Sequence, residues 1–309
     1  MKYQPLISII INCYNGERYL HECLKSILIQ TYTNYEVIFW DNLSKDNSKL
    51  IFLEIKDNRF KYFNDNNHVS LYAARNKAIK ACNGDYVAFL DVDDLWLPEK
   101  LMTQIEYIQK NSDIGFCYSG FKFLSQKTGI LKSAYNNKTL KSGYLTTTLL
   151  KNYTIGLLTL MVNKSFVDKN QIRFDDRFTI MGDLDFVLRL SKVSRGISIK
   201  TDLAIYRNHS ENLSLKIDQT IQERKIWQDD MVSKLIFSIK EILPFIEETK
   251  YLTFTENIKL IKFSETIKEL FELKGIFFFK GIILLFLVIR KKIFKWFKNK
   301  IIKNLVFKF

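Results

Sequence analysis

A strand that ends in a row of carboxylates is the feature that most constrains this chain. Residues Tyr86–Leu90 are almost all strand formers, and Asp91, Asp93 and Asp94 follow directly. Because side chains at i and i+2 of an extended chain point the same way, Asp91 and Asp93 can face one ligand together. Open α/β sheets bind ligands at the carboxyl ends of their strands. The pattern predicts a ligand site that suits Mg²⁺ or Mn²⁺; the alternative is a polar turn in which Asp94 caps the next helix.

The first hundred residues alternate between strand and helix patterns, which indicates βαβ units. Strands are predicted at Leu6–Cys13, Tyr35–Trp40, Phe60–Phe63 and Tyr86–Leu90, and helices at Glu17–Gln30, Ser44–Lys56, Ser70–Cys82 and Pro98–Gln109. Ser44 is the expected cap of the second helix. The fold class is therefore α/β, Rossmann-like, with a mostly parallel central sheet.

The pattern is less regular after residue 112. Strand-like runs occur at Gly115–Leu124, Ile155–Val162 and Leu203–Tyr206, and a helix is predicted at Asp183–Val193. Residues 218–274 read as entirely helical. We expect a catalytic domain over 1–215, a helical extension over 216–275 and a basic amphipathic tail over 276–309.

Charge and cysteine content argue against a nucleic-acid-binding protein and against a zinc site. The net charge is +14, but ten Lys or Arg and no acid lie in residues 274–309, so residues 1–273 carry only +4. A nucleic-acid-binding protein is disfavoured because the charge is confined to the tail and no recognition motif is visible. The four cysteines form no CxxC pair or zinc spacing and are expected to be buried free thiols.

Polar residues follow the other predicted strands as well. Tyr14 lies in the loop after the first strand, where a base can be held, and Asp41 ends the second, where it can accept the imino hydrogen bond of a pyrimidine. Arg75 lies on a small-residue helix and can approach a nucleotide. The alternatives are ordinary turn residues for Tyr14 and Asp41 and a solvated helix arginine for Arg75.

In order and spacing, these segments together resemble glycosyltransferase family 2. The resemblance covers roughly residues 6–210 and runs through SIIINCYNGERYL, SILIQTYTNYEVIFWDNLSKDNS, ARNKAIKACNGDYVAFLDVDDLWLP and MGDLDFVLRL. It implies a GT-A fold, a nucleotide-sugar donor, a divalent metal (Mn²⁺ or Mg²⁺) and transfer with inversion at the anomeric carbon.

The resemblance also implies roles for single residues. Asp41 matches the residue that contacts the base, Asp91 the acid near the ribose, Asp93 the acid that binds the metal, and Arg75 an arginine near the nucleotide. The remaining positions of the nucleotide-sugar site are Cys13, Tyr14, Asn15, Glu17 and Val92. Two departures are Asn12, where proline is frequent, and Asn42, where a second Asp is frequent.

Inversion requires a general base for the acceptor hydroxyl. Asp183 matches the Asp of the family's ED motif, with Gly182 in place of the usual Glu. The alternative is a carboxylate that only favours the start of a helix. Arg207–Ser214 resembles the RxHxxNxS segment, so His209 is expected to reach the metal or the diphosphate; the alternative is a surface histidine.

Residues 222–227 contain the letters of the processive QxxRW motif at the wrong spacing, which favours a single-addition enzyme. The apolar stretch at 277–289 is shorter than the roughly 20 residues of a membrane-spanning helix. With its many lysines, the tail predicts a peripheral location on the inner face of the cell membrane; the alternative is a helical hairpin packed on the protein. The sequence therefore predicts a glycosyltransferase acting on a glycan or lipid-linked acceptor, with a non-catalytic scaffold as the other interpretation.

Overall fold

The chain divides into two compact units, Met1–Leu215 and Lys216–Phe309. A computed structural model describes residues 4–111, 113–134, 140–259 and 263–288. The first unit contains one sheet with helices, and the second unit is helical.

The sheet of the first unit contains nine strands among the described residues. They are β1 (Ile7–Cys13), β2 (Tyr35–Asp41), β3 (Phe60–Asn64), β4 (Tyr86–Phe89), β5 (Leu95–Trp96), β6 (Ile114–Ser125), β7 (Leu131–Ser133), β8 (Met161–Asn163) and β9 (Arg195–Asn208). The helices of this unit are α1 (Glu17–Leu28), α2 (Ser48–Leu53), α3 (Leu71–Ala81), α4 (Lys100–Gln109), α5 (Thr146–Lys151), α6 (Lys164–Lys169) and α7 (Gly182–Val193).

The strand order β3-β2-β1-β4-β8-β6-β9-β5 places the ends of distant segments at one edge. Strands β1 to β4 are parallel, β8 is antiparallel to both β4 and β6, and β6 is parallel to β9. Six strands therefore run in one direction, which confirms the α/β class, while β8, β5 and β7 make the sheet mixed. Because β9 runs in the same direction as β4, its carboxyl end lies at the same edge as the end of β4.

Apolar side chains on both faces of the sheet form the core of the first unit. Every residue of β1 is buried, as expected for a strand covered on both sides. On one face α1 contributes Leu20, Cys23, Leu24 and Ile27 to a cluster with β1, β2 and β4. All four cysteines are free and buried, which confirms their predicted state.

The second unit contains the helices predicted for residues 218–274. They are α8 (Ile217–Ser233), α9 (Ile239–Lys259) and α10 (Phe263–Glu272), and residues 276–288 are also helical. Trp227 packs against Phe237 and Phe245, with ring centroids 5.8 and 4.8 Å apart. No helix of the described residues has the length and apolar character needed to cross a membrane.

Several details of secondary structure differ from the prediction: β5, β7, α5 and α6 were not expected, and β9 is longer than the predicted strand. Helix α2 begins at Ser48, so Ser44 is not its cap; the Ser44 hydroxyl accepts a hydrogen bond from the Asn15 N–H instead. The expected strand at 155–162 is shorter, because Leu157–Thr159 form a 3₁₀ turn before β8. In this turn the Leu158 carbonyl accepts a hydrogen bond from the Trp96 indole N–H at 2.8 Å. The spacing of apolar residues in the sequence cannot predict this contact.

A fully buried lysine lies in the core beside Trp96. Lys100 begins α4, and its Nζ lies 3.6 Å from the centroid of the Trp96 ring without a hydrogen-bond partner among the described residues. Burial lowers the pKa of Lys100 well below its usual range. Because the unfolded lysine keeps its proton to a higher pH than the folded one, burial of Lys100 costs stability below about pH 10.

We expect Lys100→Met to raise the free energy of unfolding at pH 7 by about 1–3 kcal/mol, because a buried amine gives way to an apolar group of similar volume. Wild-type stability should rise as the pH increases towards about 10, where the unfolded lysine also loses its proton, and the variant should lose this slope. Urea denaturation at several pH values measures both effects. Lys110→Met, at an exposed lysine after α4, is the control; a destabilised Lys100→Met protein would contradict the interpretation.

Candidate active site

The carboxyl edge of the sheet brings the predicted site residues together. In the registers of β1, β2 and β3, Cys13 lies opposite Asp41, and Asp41 lies opposite Asn64. Residues 91–94 follow β4, and His209 follows β9. These segments are far apart in sequence and share one edge because their strands point the same way.

A buried arginine joins two of the predicted carboxylates. Arg75, in the second turn of α3, donates from Nη2 to Asp91 Oδ1 at 2.5 Å and from Nη1 to Asp183 Oδ1 at 2.7 Å. The Arg75 side chain is only 3% exposed, whereas Asp91 and Asp183 are 38% and 29% exposed. The solvated-arginine alternative is therefore wrong. One guanidinium fixes the distance between an acid from the β4 edge and an acid from the start of α7.

Asp183, one of the two partners of Arg75, holds a proton more strongly than an ordinary aspartate. Burial is the main influence on Asp183 and raises its pKa to about 6, with the Arg75 charge opposing and the Asp91 charge adding to the rise. Burial also favours the neutral form of Arg75, but the neighbouring Asp91 and Asp183 outweigh it and keep the guanidinium charged. Asp183 is thus ionised at neutral pH yet more basic than an ordinary aspartate, which is the property a general base needs.

The start of α7 depends on a glycine and a tyrosine. A Cβ at Gly182 would lie 2.4 Å from the Tyr72 ring, so no larger residue fits there without moving that ring. The Tyr72 hydroxyl donates to the Ile180 carbonyl at 3.1 Å and accepts from the Asp183 N–H at 3.3 Å. Gly182 therefore makes room for a ring that supports Asp183. Asp185 points elsewhere, as expected for i+2 on a helix, and pairs with Arg189.

A second cluster surrounds Asp93 and Asp94. Asp94 is buried and accepts from the Arg207 backbone N–H at 2.9 Å, so it does not cap α4 and the capping alternative is wrong. The Arg207 guanidinium donates to the Asp93 carbonyl at 2.9 Å and to Glu22 at 2.5 Å. Burial and then the neighbouring carboxylates raise the pKa of both Asp93 and Asp94. This edge concentrates negative charge and is suited to a cation.

His209 holds the Asp93 side chain. Its Nε2 lies 2.9 Å from Asp93 Oδ2, and its ring stacks on Tyr19 at 5.2 Å. Because His209 Nδ1 accepts a hydrogen bond from the Glu211 N–H, Nδ1 has no proton and Nε2 is the donor to Asp93. The surface-histidine alternative is therefore wrong. In this tautomer Nε2 is not free to bind a metal, although opening the Glu211 contact would let the proton move to Nδ1.

A divalent cation fits these residues through the chemistry of its ligands. Mg²⁺ and Mn²⁺ need only one or two carboxylates from a protein when substrate phosphates and water complete the shell. Asp93 supplies a carboxylate, and His209 supplies a nitrogen after the tautomer change. Among the described residues no group of three His, Cys, Asp or Glu side chains is arranged to hold an ion, so a phosphate-bearing ligand would have to complete the site.

The residues predicted around the nucleotide divide into two groups. Tyr14 is 50% exposed at the mouth of the edge, whereas Asp41 is 3% exposed, accepting from the Ser44 N–H at 2.8 Å and from the Tyr62 hydroxyl at 2.6 Å. Asn15 accepts from the Lys45 N–H, and Glu17 accepts from Asn47. Asp41, Asn15 and Glu17, the second group, therefore fix the loop over residues 44–47.

Cys13 and Val92 contribute apolar contacts to the same edge. The Cys13 thiol is buried 3.8 Å from the Ser44 hydroxyl, and burial raises its pKa. The Val92 side chain packs on the core, close to Gly16. Three residues of this edge were not singled out from the sequence: Tyr19, Glu22 and His68. Only the tertiary contacts just described show that Tyr19 and Glu22 belong there.

This combination of a mixed α/β sheet with carboxylates and arginines at its carboxyl edge defines a nucleotide-binding α/β domain. The family model described as Glycosyl transferase family 2 matches residues 8–165, just over half of the chain. The chain belongs to that family.

Comparisons with single proteins agree with this assignment. The chain is 34% identical over 163 residues to WfgD of Escherichia coli, a UDP-Glc:alpha-D-GlcNAc-diphosphoundecaprenol beta-1,3-glucosyltransferase. The alignment covers 53% of this chain and 62% of WfgD, so the chain spans less than two thirds of that relative.

Two solved structures share the fold. S. aureus TarS 1-349 in complex with UDP-GlcNAc has a TM-score of 0.62 at 17% identity, covering 89% of this chain and 79% of that chain. The mannosyltransferase PcManGT from Pyrobaculum calidifontis, in complex with GDP-Man and Mn2+, has a TM-score of 0.62 at 12% identity, covering 96% and 83%. These likenesses confirm the predicted GT-A fold.

We expect Arg75→Met to lower the free energy of unfolding by about 3 kcal/mol, because it leaves two neighbouring carboxylates without their shared buried cation. Arg177→Met is the matched control, since Arg177 pairs with Asp175 at the surface and such pairs contribute about 0–1 kcal/mol. Urea denaturation at pH 7 measures both variants. Equal losses in the two would show that Arg75 does not hold the carboxylates.

Proposed function

We propose that the chain is a metal-dependent, inverting glycosyltransferase that moves one sugar from a nucleotide-diphosphate sugar, a UDP-sugar, to a hydroxyl of a glycan. The acceptor is a lipid-linked precursor of a surface glycan of the LPS, O-antigen or capsule type. The observation that carries the proposal is the pair of contacts from Arg75 to Asp91 and Asp183. They hold Asp91, which is expected to contact the donor, beside Asp183, a more basic carboxylate that is expected to face the acceptor.

The donor occupies the carboxyl edge of β1, β2 and β4. Tyr14 and Asp41 lie at the base end, with Cys13, Asn15, Glu17 and Val92 shaping that end of the pocket, and Asp91 lies at the ribose. Arg75 acts near the nucleotide through Asp91. Support for a nucleotide-sugar comes from WfgD, which is named for UDP-Glc, and from the UDP-GlcNAc and GDP-Man complexes of the two structural relatives.

Asp93 and His209 hold the divalent metal, Mn²⁺ or Mg²⁺, which supplies positive charge that offsets the charge of the donor diphosphate. The raised pKa of Asp93 supports this role, because a carboxylate crowded by Asp91 gains most from a nearby cation. Mn2+ accompanies GDP-Man in the PcManGT complex.

Asp183 acts as the general base. Its carboxylate takes the proton of the acceptor hydroxyl while the oxygen forms a bond to the anomeric carbon from the face opposite the diphosphate. The bond between that carbon and the diphosphate oxygen breaks, and the nucleoside diphosphate leaves with the electron pair. Because attack and departure occur on opposite faces, the anomeric configuration inverts.

The lipid-linked acceptor places the enzyme at the cytoplasmic face of a membrane, and the end of the chain fits that location. Residues 277, 278, 284, 285 and 288 pack on α9 and α10, while Phe279, Ile283 and Phe286 of the same helical stretch are more than half exposed. Eight further Lys or Arg lie in residues 289–309, which are outside the described residues. Exposed apolar side chains followed by cations suit an anionic lipid surface.

The principal test of the proposal is Asp183→Asn. We expect transfer to fall by about 10²–10⁴-fold, because the amide cannot take the acceptor proton, while donor binding changes little. In the wild type, kcat/KM should rise with pH around the Asp183 pKa of about 6 and reach a plateau above it. Product formation from a radiolabelled UDP-sugar measures the rate, and calorimetry measures donor binding.

Asp168→Asn is the matched control for this test. Asp168 also pairs with an arginine, Arg173, but it lies near Asp85, which precedes β4 at the amino end of that strand. Its variant should transfer at the wild-type rate. Near-normal turnover by Asp183→Asn would remove Asp183 as the base, and a wild-type chain without any transfer or nucleotide binding would favour the scaffold alternative.

We expect removal of residues 289–309 to release the chain from vesicles that contain anionic lipid, because each Lys or Arg near such a surface contributes about 1 kcal/mol. A deletion from residue 276 would also remove the packing on α9 and α10, so the shorter deletion is the cleaner test. Co-sedimentation with phosphatidylserine vesicles measures binding, with phosphatidylcholine vesicles as the control. A truncated protein that still sediments with anionic vesicles would place the anchor elsewhere.

A further inference from the structure

The loop between β3 and α3 is fixed against the nucleotide end of the edge. Asn42 holds it with both ends of its side chain: Nδ2 donates to the Val69 carbonyl at 2.8 Å, and Oδ1 accepts from the Val69 N–H at 3.0 Å. Lys77 of α3 pairs with Asp65 at the start of the loop. Asn42 itself is joined to β1, because its N–H donates to the Cys13 carbonyl at 2.8 Å. The loop therefore has a defined position beside Tyr14.

His68 is the residue that this loop presents. Its ring lies 4.5 Å from the Tyr14 ring, centroid to centroid, at an angle of 52°. Both side chains are exposed. Two aromatic side chains thus form one wall at the carboxyl edge of β1 and β2, where an open α/β sheet binds its ligand.

The hydrogen bond of His68 fixes the tautomer of its neutral ring. Nδ1 lies 2.9 Å from the Asn42 main-chain carbonyl oxygen, which can only accept, so Nδ1 carries the proton. Nε2 of the neutral ring is then an acceptor, and it has no partner within the part of the chain that the structure describes. An exposed, oriented acceptor beside an aromatic wall is suited to a flat ligand that has an N–H in its ring plane.

Asp41 is the residue that the family resemblance assigns to base contact, but it is less available than His68 to accept a hydrogen bond from a base. Its two carboxylate oxygens already accept from Ser44 and Tyr62, and its side chain is almost fully buried. A base that used Asp41 would have to displace or share one of these hydrogen bonds. His68 Nε2 offers an acceptor at the same edge without that cost.

We infer that His68 determines the base of the donor: its Nε2 accepts the ring N3–H of uracil in the plane of the imidazole, and the Tyr14 ring of the wall supports the face of the base. The inference rests on the proposed function, since it names the residue that recognises the base of the donor nucleotide. Cytosine has a lone pair at N3 where uracil has N–H, so it would place two acceptors against each other. The site should therefore prefer UDP to CDP.

The test compares the binding of UDP and CDP by calorimetry, with Mn²⁺ present, in the wild type, His68→Phe and His21→Phe. Phenylalanine keeps an aromatic ring beside Tyr14 but has no acceptor. His21 is an exposed histidine of α1 and serves as the matched control. Thermal melting of each variant checks that the fold is retained.

We expect the wild type and His21→Phe to bind UDP at least about tenfold more tightly than CDP, and His68→Phe to reduce this ratio to about threefold or less. If His68→Phe kept the wild-type ratio of UDP to CDP affinity, the inference would be overturned. The donor pocket would be intact, and Asp41 would be the residue that recognises the base. Equal binding of UDP and CDP by the wild type would overturn it as well. Binding of neither nucleotide would overturn the proposed function together with the inference.

Discussion

The buried Arg75 guanidinium is the interaction on which the rest of the site depends. It is almost fully withdrawn from solvent, so its charge can be tolerated only with both carboxylates in place. One of these belongs to the loop after β4, and the other lies 92 residues further along the chain at the start of α7. A desolvated cation with two fixed partners permits little displacement of either, so the relative position of the two acids is a property of the core.

Charge balance explains the remainder of the edge. Asp91, Asp93 and Asp94 lie within four residues, and two of them are drawn towards the protonated form by burial and by each other. Arg75 pairs with the first, the Arg207 backbone N–H donates to the third, and the His209 ring donates to the second. Asp94 is buried, whereas the Asp93 side chain is 22% exposed, so Asp93 is the one of these two carboxylates that an added cation can reach. This is the position at which an added cation would stabilise the edge most.

Local pattern predicted the elements well and their contacts poorly, for physical reasons. The bounds of β1, α3 and β4 were predicted to within one residue at each end from local runs of strand formers and small residues, which are properties of neighbouring residues. The clusters around Arg75 and Arg207 join residues 108 and 185 positions apart, and no periodicity encodes such pairs. Ser44 was misread as a cap because its hydroxyl has a non-local partner in Asn15. The carboxylates themselves were predictable because a strand end fixes where its polar residues emerge.

Two of the departures from the family pattern, Gly182 and Asn42, have partners elsewhere in this chain. Gly182 stands where an acid is usual, and the freed space is filled by the Tyr72 ring, whose hydroxyl supports both Ile180 and Asp183. Asn42 stands where a second Asp is frequent, and its amide donates to the Val69 carbonyl, which a carboxylate could not do. In each case the substituted residue allows a contact with a neighbouring element: the Tyr72 ring at Gly182 and the Val69 carbonyl at Asn42. If Asn42 serves to hold the loop that carries His68, then the selectivity of the base lies in a segment that motif comparison does not cover.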